Sequence, residues 1–345
     1  MKIHVLCNDG SPLGVTSKTI WGDARRIGVG GAELALLTMC EEWQKRGDEV
    51  TLYNSPYASN ESIFEQLPVD AFSPLQERDI VIIFRSPNPR ISGAKGLKVW
   101  WSCDQYTIGS FSEFGKQVDK IVCISEFHRN YFQLNYGIQN SIVIDVPVRL
   151  DDYRDIEVNR VPYSLLFSSV PDRGLPLLFP IFAVVKDRLP DVTLTITSDY
   201  RLWGTQDAMD ARHRMIWRPY YQDGVTYAGA VARQKLLEYQ LQADLFVYPC
   251  IYDELFCISC AEASCAGAYP ITSGKGALST TNIGTVVSGS DYSSYAFKST
   301  FADTILYCLE NRDRLEKARL EIQNETKKRF APQTILQQWD EKVFA

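Results

Sequence analysis

The sequence predicts an α/β protein built from two doubly wound domains, and three observations predict it. A chain of 345 residues is long for one hydrophobic core, so two domains that each bury their own apolar centre are expected. Short apolar runs alternate with helix-spaced segments along both halves, which is how parallel strands joined by crossover helices are written. The alternation breaks once, at residues 145 to 163, "DVPVRLDDYRDIEVNRVPY", a charged and proline-containing stretch without periodicity where a linker is expected. A first domain over 1–155 and a second over 156–325 follow.

"KIHVLC" is a β-branched and apolar run that stops at the turn cluster "NDGSP" and reads as a buried first strand. A long polar loop leads to "IGVGGAE", after which Ala32, Ala35, Leu36, Met39, Cys40 and Trp43 recur at helical spacing until Gly47 stops the pattern. "EVTLYN" is the next strand, and strand, helix, strand in this order implies parallel pairing through a right-handed crossover. "DIVIIF", "KVWWSC" and "KIVCIS" extend the sheet to five strands, with "EFHRNYFQLNYG" as a helical segment. Beyond the linker the alternation restarts with "YSLLFSS", a helix from about Leu175 to Leu189, "VTLTITS" and "GVTYAG". A helix over "ARQKLLEYQLQA", the strand "DLFVYP", a helix over "SCAEASCAG" and the strand "YPITS" complete it. No internal repeat or heptad pattern interrupts the series.

Hydrophobic residues at 45% and charged residues at 23% set the balance of a soluble globular protein with little room for long disorder. Up to residue 160 there are 17 basic and 21 acidic residues, and after it 19 and 21, for a net charge of −6. Neither half is the basic body that tracks a phosphate backbone or an anionic membrane, which argues against a nucleic-acid partner. "MKIHVLCNDG" lacks a cationic lead, a long apolar run and a small-residue cleavage site, and no stretch approaches the length of a membrane span. With nine cysteines in no repeated framework, a reducing, cytoplasmic location is expected.

The segment "YDELFCISCAE", Tyr252 to Glu262, sets two glutamates on either side of a C-x-x-C pair. Cys250, Cys257, Cys260 and Cys265 have no neighbouring histidine and no second pair at finger spacing, so they read as small packing residues rather than zinc ligands. No D-x-D falls near a predicted strand end, which argues that arginines and backbone dipoles, not a divalent cation, neutralise any bound diphosphate. "GVGGAE" is not a dinucleotide fingerprint, because Gly28 follows the first strand by about twenty residues and Glu33 takes the place of the last glycine. Gly30 and Gly31, opening a helix, instead allow close approach of a phosphate or a transferred sugar.

"GGAELALLTMCEEWQKRGDEVTLYN" and the stretch from "GVTYAG" through "YDELFCISCAEASCAGAYPITSGKGAL" resemble the two signature blocks of the retaining GT-B glycosyltransferases of family 4. In the second block Gly229, Asp244, Pro249, Glu254, Phe256, Glu262, Ala263 and Gly267 fall in the family's order and spacing. The resemblance implies two Rossmann-like domains facing across a cleft, the first binding the acceptor and the second the donor. It also implies a terminal helix, here 326–345 with "PQTILQQWDEKVFA", that crosses back to the first domain. It further implies retaining transfer from a nucleotide sugar to a hydroxyl of a glycan or other acceptor; the absent D-x-D adds the expectation of no metal cofactor.

Site residues follow from the match, each with a plainer alternative. Glu254 would hold the donor sugar and Glu262 the ribose, since ionised carboxylates accept from vicinal hydroxyls; the alternative is a pair of solvated helix-terminal acids. Backbone N–H groups of Leu255, Phe256, Cys257 and Ile258 at the helix start would face the diphosphate, although Leu255 and Cys257 stand where the family has glycine. In "SSVPDRGL", Ser168 or Ser169 takes the place of the family's arginine, and Arg173 that of its lysine. Arg173 would carry the leaving phosphate, a guanidinium being able to grip two oxygens, or else close a surface turn. Asp104 matches the family's aspartate after the fourth strand and would bind the sugar or incoming hydroxyl, or simply cap the strand. Tyr106, with Trp21, Arg25 and Arg26 in the long first loop, would read the acceptor, or serve as ordinary turn residues. Of the three histidines only His128 invites a catalytic test. A nucleotide-sugar-binding protein without transfer and a transferase acting on modified nucleic-acid bases are the rival readings.

Overall fold

The structure, a computed structural model, describes residues 1–8, 13–58, 61–106, 109–197, 199–203, 211–212, 215–216 and 223–345. The chain divides into two compact units. Met1–Asp23, Val29–Pro147 and Phe330–Ala345 form one, and Ala24–Gly28 with Val148–Arg329 the other.

In the first unit β1 (Lys2–Leu6), β2 (Glu49–Tyr53), β3 (Glu65–Leu67), β4 (Ile80–Phe84), β5 (Leu97–Trp101), β6 (Lys120–Cys123) and β7 (Ser141–Val143) form a parallel sheet. Its order is β3-β2-β1-β4-β5-β6-β7, and Ile3 pairs with Val50 on one side and Ile80 on the other. The central β4, "IVIIF", is buried at every residue, as a strand covered on both faces must be. Helix α1 (Gly31–Arg46) ends where Gly47 turns left-handed at φ 102° and its N–H reaches the carbonyls of Gln44 and Trp43. After α2 (Phe111–Gly115), α3 (Glu126–Tyr136) begins at Ser125, whose side chain accepts from His128 N–H at 3.0 Å.

The second unit contains β8 (Ser164–Ser168), α4 (Leu175–Arg188), β9 (Thr193–Thr197), β10 (Val225–Gly229), α5 (Arg233–Gln242), β11 (Leu245–Tyr248), α6 (Ile258–Cys265), β12 (Tyr269–Ser273), α7 (Leu278–Thr281), β13 (Thr285–Val287), α8 (Tyr295–Glu310) and α9 (Arg312–Phe330). The sheet runs β10-β9-β8-β11-β12-β13, again parallel. Its core combines Leu166, Phe167, Phe182, Ile196, Phe246 and Val247 from strands and α4 with Phe301 and Ile305 of α8. Asp244, wholly buried before β11, accepts Tyr163 N–H at 2.8 Å and Arg319 Nη1 at 2.9 Å and also pairs with Arg312. A carboxylate this deep persists because charged donors surround it, and the pairing ties α9 to the sheet.

The chain closes with α10 (Pro332–Trp339), which packs on α1 of the first unit. Trp339 meets Trp43 and Trp101 edge-on at ring-centroid distances of 5.3 and 5.2 Å, all three rings being buried.

Each sheet has strands that the apolar pattern does not show. Five were expected in the first domain and seven are present, β3 and β7 being three-residue edge strands; β13 is a third such edge strand in the second sheet. Segments this short carry one turn of alternation at most, so their pairing is decided by the neighbouring strand. Among the described residues no helix is long and apolar enough to cross a membrane.

Candidate functional site

In the second unit the strand order reverses between β8 and β11, the position at which open parallel sheets take ligands beyond their carboxyl ends. Two loops leave the sheet there, residues 169–174 after β8 and residues 249–257 after β11. The second loop is held by backbone bonds. Glu254 N–H reaches Tyr252 O at 2.8 Å, Ile251 N–H reaches Arg173 O at 2.9 Å, and Ala277 N–H reaches Glu254 O at 2.7 Å. Gly276, at φ +60°, lies so close beneath that a Cβ there would come within 2.4 Å of Glu254 O. The place of the Glu254 side chain is therefore set by its backbone.

Glu254 is 6% exposed. Its Oε1 accepts from Tyr248 Oη at 2.6 Å and from Arg173 Nη1 at 3.0 Å, while among the described residues Oε2 takes no hydrogen bond. The Arg173 guanidinium also lies over the Tyr252 ring, 4.4 Å from its centroid. Burial works to lower the Arg173 pKa, but Glu254, Tyr248 and Tyr252 outweigh it and the net shift is upward, so the cation is firmly charged. Burial first, and Glu254 next, raise the Tyr248 phenol well above its usual value. It therefore stays protonated and donates to the carboxylate, which leaves Ser169 Oγ, 3.0 Å away, as the donor to the phenol oxygen. Ser169, Tyr248, Glu254 and Arg173 thus form one relay in which a single carboxylate oxygen is fully spent and its twin is not.

Helix α6 opens at Cys257, whose φ and ψ of 72° and 72° are left-handed. Glycine adopts that conformation freely and a cysteine does so at a cost, which is the backbone reason the resemblance has glycine there. Cys260 N–H and Ala261 N–H already bond Cys257 O at 3.1 and 3.4 Å, so the amides of Ile258 and Ser259 are the ones not spent within the helix. Leu255 and Phe256 are buried, Cys257 and Ile258 half-buried. Glu262, one turn further on, is 3% exposed and lies 2.9 Å from Arg233 Nη2.

In the first unit Asp104 is gripped at both oxygens by Arg85, Nε and Nη2 each at 2.8 Å. Arg85 itself is left-handed at φ 63°. Gly30 precedes α1, and the space its side chain would take is held by the Glu33 carboxylate, 2.6 Å from the position of a Cβ; that negative group, rather than open room, is what approaches the backbone here. Trp21 and Tyr106 are exposed at 42% and 72%. Arg25 and Arg26 lie in Ala24–Gly28, which belongs to the second unit, and Arg26 Nη2 donates to Leu202 O at 2.7 Å. Gly31 is the first residue of α1.

His128 is corrected from a possible catalytic group to a structural one. It is wholly buried, stacks edge-on to Phe132 at 4.4 Å, and accepts Ile124 N–H at Nδ1. Burial drives its pKa down to about 3 against a small opposing effect of the Asp104 backbone, so it is neutral. His213 lies outside the described residues. Cys250, Cys260 and Cys265 are buried, and burial pushes each thiol up to about 12. Tyr248, Arg233 and Arg85 are the participants that sequence reasoning missed; the one available signal was a hydroxyl at the last position of an otherwise apolar strand, "LFVY".

Residues 169–329 match the family model described as Glycosyl transferases group 1, a span that contains both loops, Arg173, Glu254 and Glu262. Over nearly its whole length the chain is similar to solved structures, three of which follow. HepE of Anabaena, in complex with UDP and glucose, is 17% identical with a TM-score of 0.68, covering 100% of this chain and 99% of HepE. Sucrose-phosphate synthase from Thermosynechococcus elongatus is 16% identical at a TM-score of 0.74, covering 99% of each chain. A glycosyltransferase from Rickettsia africae is 15% identical at 0.70, covering 99% of this chain and 97% of the other. No curated protein sequence matches. The fold is therefore that of the GT-B glycosyltransferases, two Rossmann-like units each with a parallel sheet.

Proposed function

We propose that the protein is a retaining glycosyltransferase of the family 4 type, moving a sugar from a nucleoside-diphosphate donor to a hydroxyl of a glycan or glycoconjugate without a metal. The observation that carries the reading lies inside the group 1 match: one loop-and-helix unit bears two buried carboxylates, each with an arginine at ion-pair distance. In this reading the free Oε2 of Glu254 accepts from donor-sugar hydroxyls and Arg173, already charged, takes up the negative charge that grows on the leaving phosphate. Glu262 accepts from the ribose diol, and the amides of Ile258 and Ser259 face the diphosphate. The first domain, with Asp104, Trp21 and Tyr106, is assigned to the acceptor. Retention is assigned to same-face attack: the acceptor hydroxyl oxygen bonds to the anomeric carbon as the bond from that carbon to the leaving phosphate oxygen breaks, and that phosphate oxygen receives the acceptor's proton.

That HepE was solved with UDP and with UDP-glucose makes uridine donors the first to try. The test is a melting-temperature screen against nucleotide sugars, a ligand of the native form raising Tm. Transfer is then measured with the best donor, before and after chelation, and the anomeric configuration of the product is read by proton NMR. Glu254→Ala is expected to abolish transfer while sparing nucleotide affinity; unchanged turnover, or an inverted product, overturns the assignment.

A further inference from the structure

Glu262 raises a physical problem that the family roles leave open. A carboxylate 3% exposed is costly to keep ionised unless a cation compensates it, yet a carboxylate that has spent its lone pairs on that cation has nothing left for a ligand. The surrounding cluster resolves both demands. Arg233, 5% exposed, places Nη2 at 2.9 Å from Glu262 Oε1, close enough to neutralise it. The pair is off the line of a hydrogen bond, however, so that both Arg233 Nη2 and Glu262 Oε1 are buried without a hydrogen-bond partner. On the other oxygen, Oε2, Glu262 receives only a long contact of 3.4 Å from Gln240 Nε2, an amide whose Oε1 accepts from Tyr153 Oη at 2.7 Å.

Asp152 holds the guanidinium from its other side. Arg233 Nε donates to Asp152 Oδ2 at 2.5 Å, and Arg149 Nε approaches both oxygens of the same aspartate at 3.2 Å. The charges alternate from Arg149 through Asp152 and Arg233 to Glu262, and all four side chains are at most 15% exposed. Burial works to lower the Arg233 pKa, and Glu262 with Asp152 reverses it, so the cation is secure. Among the described residues no other ion pair reaches Glu262.

We propose that Arg233, anchored by Asp152, is a positioning residue: it supplies Glu262 with charge compensation while withholding the hydrogen bond, so that the carboxylate keeps acceptor capacity for a ribose diol. This rests on the reading of Glu262 given above. Asp152→Ala removes the anchor and frees the guanidinium to turn onto Oε1 and take up acceptor capacity there; Arg233→Met removes the compensation itself.

The experiment is calorimetric titration of the full chain with UDP, ADP, GDP and CDP and with the 2′-deoxy form of whichever binds, alongside steady-state transfer. Loss of hydrogen bonds to a charged acceptor is expected to make the wild-type protein prefer the ribonucleotide by about tenfold. Glu262→Gln, Arg233→Met and Asp152→Ala are each expected to collapse that preference toward unity, raising KM more than they lower kcat, and Arg233→Lys to restore part of it. Retention of the full ribose preference in folded Arg233→Met or Asp152→Ala overturns the inference, and if Arg233→Met does not fold, Asp152→Ala alone decides. A wild-type protein that binds none of the four nucleotides overturns the proposed function instead, and one that binds without ribose preference overturns the role of Glu262.

Discussion

Tyr248→Phe isolates one atom of the relay. The phenol is wholly buried, its oxygen 2.6 Å from Glu254 Oε1 and 3.0 Å from Ser169 Oγ. The ring remains packed against Phe167 and Phe246, so the change removes a hydrogen bond with little change of volume. A bond to an ionised group is worth about 1.5–3 kcal/mol, and the carboxylate left behind keeps Arg173 but loses its shortest donor. For a unit of this size each kcal/mol moves the midpoint by about 2–4 °C, so Tm is expected to fall by roughly 3–12 °C. Differential scanning calorimetry reads that fall, and steady-state transfer reads the second consequence, a drop in kcat as Glu254 loses its fixed orientation. Ser169→Ala loses only a neutral bond and is expected to cost about 1 kcal/mol; because the two residues share Tyr248 Oη, the double variant is expected to cost less than the sum. A Tyr248→Phe protein that melts within a degree of wild type and transfers at the wild-type rate refutes the relay.

Two further outcomes follow from the same coordinates. Gly276→Ala puts a methyl against backbone, 2.4 Å from Glu254 O, at φ +60°, so it is expected to cost at least about 2 kcal/mol and to weaken transfer by shifting Glu254; unfolding midpoints in urea check it, and an unchanged midpoint refutes the close approach. His128 and His4 both titrate low, near 3 and 4, burial being the main cause in each, with Arg78 and Lys2 adding to it at His4. A folded pKa below the ordinary 6.5 means the unfolded chain binds the extra protons. The stability they allow is therefore complete above pH 6.5 and declines as pH falls toward the folded values, by about 2–3 kcal/mol each at pH 4.5. Melting of the protein between pH 7.5 and 4.5 tests this, and a flat profile over that range contradicts it.

Some elements were readable because their cause is local. "DIVIIF" is buried at every position of the strand it contains, and Gly47 ends α1 with the left-handed turn its lack of a Cβ permits. The edge strands β3, β7 and β13 were not readable, since three residues carry no period of their own. The same division runs through the site. Glu254, Glu262 and Arg173 were singled out by the resemblance to the family's motif, but the phenol that donates to Glu254 looked like one more apolar residue in "LFVY". Cys257 looked like half of a C-x-x-C pair, and its significance, a left-handed backbone at the start of α6, is a dihedral angle rather than a composition.

The order of strands and helices, the parallel class of both sheets and the residue types at the switch point were determined by the sequence alone, because apolar period and turn chemistry act over a few neighbouring residues. Which charge faces which was decided only by the tertiary structure. Arg173 lies 81 residues from Glu254, and Arg233 lies 81 residues from Asp152. No local rule couples side chains across such distances. Arg173 and Glu254 meet because parallel crossovers return β8 and β11 to the same edge of the sheet, Arg233 and Asp152 because the helix after β10 packs beside the segment before β8, and burial makes each unpaired charge costly.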